Sequence, residues 1–482
     1  MKKFIKNINE NYKSVNSSNS IKNIISKKCF LLSDQVIFAR FSGDKNPIHL
    51  DKIEARKTLH GQCIVHGMHC LLWALDSLAK KNHITGSQIV VRFVKPIFLG
   101  EEVYCSWNEE NKRLTILANE ITYATIDLVI KKITPNNEIH TPIEEATCNT
   151  PLELTFLESS ELSNQPFKIF GDTNLANQLF PSFSDLYGIA IACEIGAISH
   201  IVGMECPGLH SLFAALKVEI TSKSSSSVYR VSKSDERFNY LNISVKGTTL
   251  VAEIDALFRP MPSKNPHVSS LANLIKHNEF KNIHALIIGG SRGLGEVVAK
   301  LISAGGGEST ITYHVGNEEA ERVVNEIQEW GGKCKMSQLT INKKNSLSFN
   351  YSNINQIYYF ASPKILGKRS KNYDEKMLSL YRTIYVDCFN NICKNLVSRN
   401  SKCSVFYPST IFIDSPQPGF ENYVKVKIEG EELCEELNKN SAINIIAPRL
   451  PVLDTDQNQS IINQQPVNNA EILLPFVKVM QR

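Results

Sequence analysis

FSGDKNPIHLD, residues 41–51, decides how the first half of this chain is read. Pro47 fixes its own φ and biases Asn46 away from helix, and Gly43 permits a tight approach, so an irregular, shaped loop is expected. Such a loop can aim Asp44 and His49 at one point. A carboxylate beside an imidazole is a workable pair for moving a proton between water and a carbon acid, provided burial brings their pKa values toward neutrality. The same spacing also suits a plain hydrogen-bonded turn. Ser42 and Asn46 are expected to shape the loop by hydrogen bonding, and Asp51 to cap the helix that follows.

Outward from this loop the chain is strand-rich. Residues 67–80, GMHCLLWALDSLAK, carry apolar residues on most helical faces and predict a buried helix. The stretches IVVRFVKPIFLGEEVYCSW, RLTILANE and YATIDLVIKKI then alternate in the manner of strands. One helix wrapped by a curved antiparallel sheet is the simplest packing for residues 29–150. Residues 151–260 repeat that order: the helical run DLYGIAIACEIGAISHIVGM is followed by LFAALKVEI, SSVYRVSKSD, YLNISVKG and LVAEIDALFRP. The second copy is expected to cover a sheet edge that the first leaves open.

The 482 residues suggest about three domains. A composition of 42% hydrophobic and 21% charged residues is that of a soluble globular protein, and no apolar run approaches the ~20 residues that span a bilayer. The first 28 residues, rich in Lys, Asn and Ser, read as a solvated lead-in without a secretory signal. Twelve scattered Cys argue for reduced thiols, and the two together place the chain in the cytoplasm. A net charge of +5 spread along the chain is too weak for a nucleic-acid stripe but suits small phosphate-bearing molecules.

FARFSGDKNPIHLDKIEARKT, CIVHGMHCLLWAL and VVRFVKPIFLGEEV closely resemble the hydratase motif and flanks of the MaoC-like, (R)-specific enoyl-CoA hydratase family of hot-dog folds, over about a hundred residues in the same order. The resemblance implies that Asp44 and His49 hold a water for addition to, or removal from, a 2-enoyl thioester. It also implies that the backbone N–H of Gly67 faces the thioester oxygen, where a helix N-terminus favours developing enolate charge. His60, Cys63, His66, His69 and Cys70 raise the alternative of a metal, but they lack the paired spacing of a zinc site, and no metal is expected.

SHIVGMECPGLHSLFAALKVEI looks like a divergent second hot-dog copy without the motif, expected to be chemically silent and to shape the acyl tunnel. His200 and Glu194 share no helix face well and read as ordinary polar residues. Residues 261–280, opening with MPSKNPHVSS, read as a linker.

From residue 281 the texture changes to strands alternating with helices, the signature of a parallel, doubly wound α/β sheet. ALIIGGSRGLGEVVAKLI, residues 285–302, is a strand, a glycine turn and a helix. Gly289, Gly293 and Gly295 permit a pyrophosphate at the helix N-terminus, with Ser291 and Leu294 in the same turn. Arg292 there, and a next strand, STITYHV, that ends without an Asp or Glu, favour NADP over NAD.

The downstream residues resemble the short-chain dehydrogenase/reductase family over some 170 positions. YYFASP matches its fourth strand and places Ala361 beside the cofactor; YPST offers Ser409 or Thr410 as the hydroxyl that orients a carbonyl; NYVKVK supplies Tyr423 and Lys427. Residues four apart share a helix face, so the charge of Lys427 is expected to lower the phenol's pKa for proton exchange. Asp387 stands where the family has Asn, Asn390 follows one turn later, and the chain ends early after APRLPVLDTDQ.

Together these readings give an α+β double hot-dog followed by a Rossmann-type domain. The expected activity is NADPH-dependent reduction of a 3-oxoacyl thioester and dehydration of the (R)-3-hydroxyacyl product to the 2-enoyl thioester, carried on CoA or acyl carrier protein. A hydratase with a silent NADP-binding scaffold, and a non-catalytic carrier-protein-binding module, are the alternatives. Neither nucleic acid nor membrane is expected as a partner, and a homodimer is implied by resemblance.

Overall fold

The computed structural model describes residues 23–118, 121–144, 150–221, 227–262, 264–342, 353–365, 375–398, 402–439, 443–458 and 468–481. The described residues up to Met261 form one compact unit, and those from Pro262 onward form a second.

The first unit is built on one ten-stranded antiparallel sheet. Its strands are β1 (Ile24–Cys29), β2 (Gly86–Phe93), β3 (Glu102–Asn108), β4 (Arg113–Ala118), β5 (Ile121–Ile130), β6 (Gln165–Pro166), β7 (Ser211–Ile220), β8 (Val228–Asp235), β9 (Tyr240–Lys246) and β10 (Leu250–Phe258). Their spatial order is 1-3-4-5-2-7-10-9-8-6, so five strands of each sequence repeat lie side by side. The repeats join where β2 and β7 pair, with Ile89 opposite Val218 and Val91 opposite Leu216. In β9 the alternation is plain: Leu241, Ile243 and Val245 are buried while their neighbours are not.

Two helices are buried in the core as the patterns predict. Gly67–Asn82 buries Met68, Leu71, Leu72, Trp73, Leu75 and Leu78. Ile189–His200 buries all but its first residue. Both belong to one continuous apolar core with the inward residues of both halves of the sheet. The second helical run differs from expectation in being broken: Gly188, at φ 96°, lets the chain turn by 117° between Pro181–Tyr187 and the helix after it. A Cβ there would lie 2.1 Å from the Asn136 carbonyl oxygen. Among the described residues no single helix is long and apolar enough to cross a membrane.

Two boundaries are corrected. The lead-in assigned to residues 1–28 includes β1, an edge strand pairing Lys27 with Tyr104 of β3; residues 1–22 lie outside the described residues. The linker assigned to 261–280 is packed structure for most of its length. Val268, Leu271 and Phe280 are buried, Asn265 Nδ2 donates to Gly293 O at 3.1 Å, and Lys300 Nζ donates to Pro266 O at 3.1 Å. Spaced polar residues hid three buried apolar ones.

The second unit has a six-stranded, fully parallel sheet of β11 (His284–Ile288), β12 (Glu308–Tyr313), β13 (Lys333–Gln338), β14 (Gln356–Tyr359), β15 (Cys403–Phe406) and β17 (Ile443–Ile446), in the order 13-12-11-14-15-17. Two short strands, β16 (Ser409–Thr410) and β18 (Arg449–Leu450), pair beside it. This is the doubly wound arrangement, and its strand order reverses between β11 and β14, where such sheets place their ligands.

Candidate functional site

The helix Leu32–Ser42 ends at Gly43, whose φ of 77° turns the chain sharply into the loop. Local side-chain-to-backbone bonds then fix the shape. Ser42 Oγ accepts from Asp44 N at 3.1 Å, Asp44 Oδ1 from Asn46 N at 3.1 Å, and Asn46 Oδ1 from Ile48 N at 3.2 Å. Asn46 thereby caps the single turn Pro47–Leu50, and Asp51 caps Lys52–Ala55 through bonds from Ile53 N and Glu54 N. The expected shaping roles of Ser42, Asn46 and Asp51 are what the structure contains.

His49 Nδ1 lies 2.8 Å from Ile64 O. A carbonyl only accepts, so Nδ1 carries the proton and Nε2 presents a lone pair. Burial lowers the His49 pKa; Asp44 and the Ile64 carbonyl oppose this, and the Arg259 guanidinium adds to it. Asp44, itself 2% exposed, receives a 2.7 Å hydrogen bond on Oδ2 from Ser199 Oγ. The ligating atoms of Asp44, His49 and His66 lie within 4.8 Å of one another. His66 precedes Gly67, so the opening turn of the Gly67–Asn82 helix, with its unpaired N–H groups, is brought to the Asp44–His49 pair.

His66 is a residue that the motif reading missed. Its ring stacks on His49 at 3.8 Å, its Nδ1 is 2.9 Å from Gln35 Oε1, and its Nε2 is 3.2 Å from Asp44 O. Burial, then the neighbouring His49 and His69, hold its pKa well below the ordinary value. Two imidazoles and a carboxylate are also a metal-ligand set. Here Asp44 accepts bonds on both oxygens and His66 Nε2 meets the Asp44 backbone carbonyl. Of the His60–Cys70 group, Cys70 is a buried thiol pushed up to about 12 by burial, the opposite of what a ligand needs.

The second repeat also holds the loop of the first. Ser199, His200 and Gly203 come from its central helix and the turn after it. His200 Nδ1 donates to Gly43 O at 2.8 Å, and Gly203 O accepts from Asn46 Nδ2 at 2.8 Å. A Cβ on Gly203 would sit 2.2 Å from Asp44 Oδ1, so only glycine fits beneath the carboxylate. His200 and Glu194 are both buried but separate in role. Glu194 is consumed by hydrogen bonds from Thr141, Thr248 and Thr249, a structural anchor. The only sequence signal for Ser199 and Gly203 was the quoted SHIVGM.

In the second unit the glycine turn lies at the strand-order reversal. Gly289 and Gly293 have φ of 85° and 58°, a Cβ on Gly295 would lie 2.3 Å from Gly289 O, and one on Gly289 would lie 3.0 Å from Ala361 N. Nothing lies within 4 Å of a Cβ placed on Gly293, so a cradle with open space precedes the helix Gly293–Ala304, which starts with Leu294 in its first turn. Ser291 is buried beside it. These residues fit a dinucleotide pyrophosphate. Arg292 is paired: its Nη1 is 2.9 Å from Asp456 Oδ2.

Tyr423 and Lys427 share one face of the helix Glu421–Leu437. Thr410 is the hydroxyl bonded to Tyr423, whereas Ser409 Oγ donates to Glu431 Oε1 at 2.5 Å. Lys427 Nζ donates to Pro408 O at 2.6 Å and lies 4.0 Å over the Tyr385 ring and 5.8 Å from the Tyr423 ring. Its expected effect on the phenol is not what this geometry gives. Burial lowers Lys427 to about 7 and raises Tyr423 to about 12, with Thr410 the group that pulls Tyr423 down. Asp387 lies in a π-helical segment, Thr383–Cys388, and among the described residues the side-chain oxygen of Asn390 has no hydrogen-bond partner.

Residues 13–131 match the family described as MaoC like domain. Among solved structures the chain is similar to a 3-oxoacyl (acyl-carrier-protein) reductase from Agrobacterium tumefaciens with NADP bound, at 16% identity over 37% of this chain and 73% of that one, TM-score 0.32. A short-chain dehydrogenase/reductase from Serratia marcescens matches at 17% identity, over 37% and 78% of the two chains, TM-score 0.35. An alcohol dehydrogenase from the archaeon Thermococcus sibiricus, complexed with 5-hydroxy-NADP, matches at 16% identity, over 42% and 91%, TM-score 0.37. No curated protein matches the chain. The chain thus carries a MaoC like domain at residues 13–131, followed by a doubly wound unit.

Proposed function

We propose that the chain is a bifunctional acyl-thioester enzyme: its doubly wound unit reduces a 3-oxoacyl thioester with NADPH, and its first unit, a double hot-dog, dehydrates the (R)-3-hydroxyacyl product to the 2-enoyl thioester. The observation that carries the reading is the fixed lone pair of His49 Nε2 beside the Asp44 carboxylate, next to a helix N-terminus. In the hydration direction these two groups hold a water by its protons. His49 takes one proton from the water as the hydroxyl adds to C3 and returns that proton to C2, while the N–H at Gly67 faces the thioester oxygen where enolate charge develops. Dehydration is the reverse.

In the doubly wound unit Gly289, Ser291, Gly293, Leu294 and Gly295 would hold the pyrophosphate, with Ala361 beside it and Arg292 released from Asp456 to meet the 2′-phosphate. NADPH supplies the hydride when bound. Tyr423, oriented by Thr410, gives its proton to the substrate oxygen. The substrate is carried on CoA or acyl carrier protein, in fatty-acid or polyketide-type metabolism in the cytoplasm. The protein works as a homodimer, without a metal and without nucleic acid or membrane as partner.

The test is purified protein given 3-oxobutyryl thioester and NADPH. NADPH oxidation followed by enoyl absorbance is expected, the first abolished by Tyr423→Phe and the second by Asp44→Asn. A chelator should change neither. The Arg292–Asp456 pair and the high phenol pKa favour one second reading, a silent NADP-binding scaffold; hydration without any NADPH turnover would select it.

A further inference from the structure

Arg259 follows β10 directly and is 6% exposed. Its backbone N donates to His210 O at 2.8 Å and its Nη2 to Leu209 O at 2.5 Å. The same Leu209 oxygen is 3.4 Å from Nδ2 of Asn46 in the hydratase loop. The guanidinium therefore lies against the loop that carries Asp44 and His49. Its Nε is buried, and among the described residues it has no hydrogen-bond partner and no carboxylate stands within ion-pair distance of it. The carboxylate whose field it feels, Glu54, is already tied to Lys57 Nζ at 2.5 Å.

A guanidinium stays charged at any physiological pH, and burying it against one neutral carbonyl is costly unless an anion completes the set. Arg also presents donors in a planar fork that matches an oxyanion. We propose that Arg259 is the receptor for an oxyanion on the thioester substrate, and that a carboxylate on the acyl chain fits its position best. The phosphate of a pantetheine arm is the other source of the same chemistry. It sits at the far end of that arm from the thioester, whereas Arg259 shares a carbonyl with a residue three positions from His49. This assignment rests on the hydratase reading and names the substrate class that site takes: a monothioester of a dicarboxylic acid.

The test compares the full chain with Arg259→Met and Arg259→Lys on three enoyl thioesters. These are crotonyl N-acetylcysteamine, with no anion; crotonyl-CoA, with phosphates only; and an N-acetylcysteamine enoyl thioester bearing a terminal carboxylate. Thermal-shift binding of the matching saturated thioesters is measured in parallel. Arg259→Met should lower kcat/KM for the carboxylate-bearing substrate about tenfold or more beyond its effect on the neutral one, with Arg259→Lys between. A loss confined to crotonyl-CoA assigns the oxyanion to phosphate. Equal changes on all three substrates overturn the proposal and leave Arg259 a packing residue. If no thioester is hydrated, the hydratase reading falls, and the binding arm still decides: an Arg259-dependent shift with the carboxylate-bearing thioester keeps the anion site, and its absence removes it. Should Arg259→Met not fold, Arg259→Lys and wild-type binding carry the same comparison.

Discussion

At the scale of the residue, Asp44 is held by two groups 155 or more positions away in sequence, the Ser199 hydroxyl on one oxygen and Gly203 packed beneath. A hydrogen bond to a charged group contributes about 1.5–3 kcal/mol. Ser199→Ala is therefore expected to lower kcat for hydration by roughly ten- to a hundredfold with KM little changed, measured on crotonyl thioester. Gly203→Ala must move the carboxylate, and a displacement of about 1 Å is enough to cost ~100-fold; full activity in that variant would contradict the packing. His49 carries the pH dependence. Burial puts its pKa below the usual ~6.5, so the neutral base is present at and above that pH. The acid limb of kcat/KM for hydration should fall below pH ~6.5, and a limb above 7 would show His49 to be in a different environment. The loop itself was legible because its bonds run between residues two apart. Ser199 was not, because no spacing rule connects a serine in one repeat to an aspartate in the other.

At the scale of the element, the pattern of apolar residues was enough to find both central helices and nearly every strand of the first unit. It failed where an element is short or polar. β1 hides in a Lys-rich stretch and is held by pairing with β3, and the packed segment after Met261 buries three apolar residues among many polar ones. The break at Gly188 was also missed, since a glycine inside an apolar run reads as helix until the φ of 96° is known. Gly188→Ala meets both a forbidden backbone and the Asn136 carbonyl, and is expected to destabilise the protein by about 1–3 kcal/mol, read as a lower melting temperature. In the second unit the strand, glycine turn and helix were legible as a unit. The choice between Ser409 and Thr410 was not, because it depends on which way two adjacent residues of β16 point.

At the scale of the whole molecule, two separate sites are expected to fail separately: Asp44→Asn should spare NADPH oxidation and Tyr423→Phe should spare hydration. Stability carries its own signature. Lys427 titrates near 7 when folded against about 10.5 when unfolded, so between those values the unfolded chain binds the extra proton. This contribution makes the wild type more stable as pH rises through that window. The stability difference between Lys427→Met and wild type, followed by denaturant melts, should therefore shrink from pH 7 to pH 10; a difference independent of pH would mean that the amine is not held in an apolar cage.

The fold arranges two strand–helix repeats so that the second braces the Asp44–His49 loop on the first. The most direct measurement is the loss of conjugated enoyl absorbance when crotonyl thioester is mixed with wild type, Asp44→Asn and Ser199→Ala. The account predicts hydration by wild type, none by Asp44→Asn, and a slowed rate with unchanged KM for Ser199→Ala. Hydration by Asp44→Asn at the wild-type rate would contradict it.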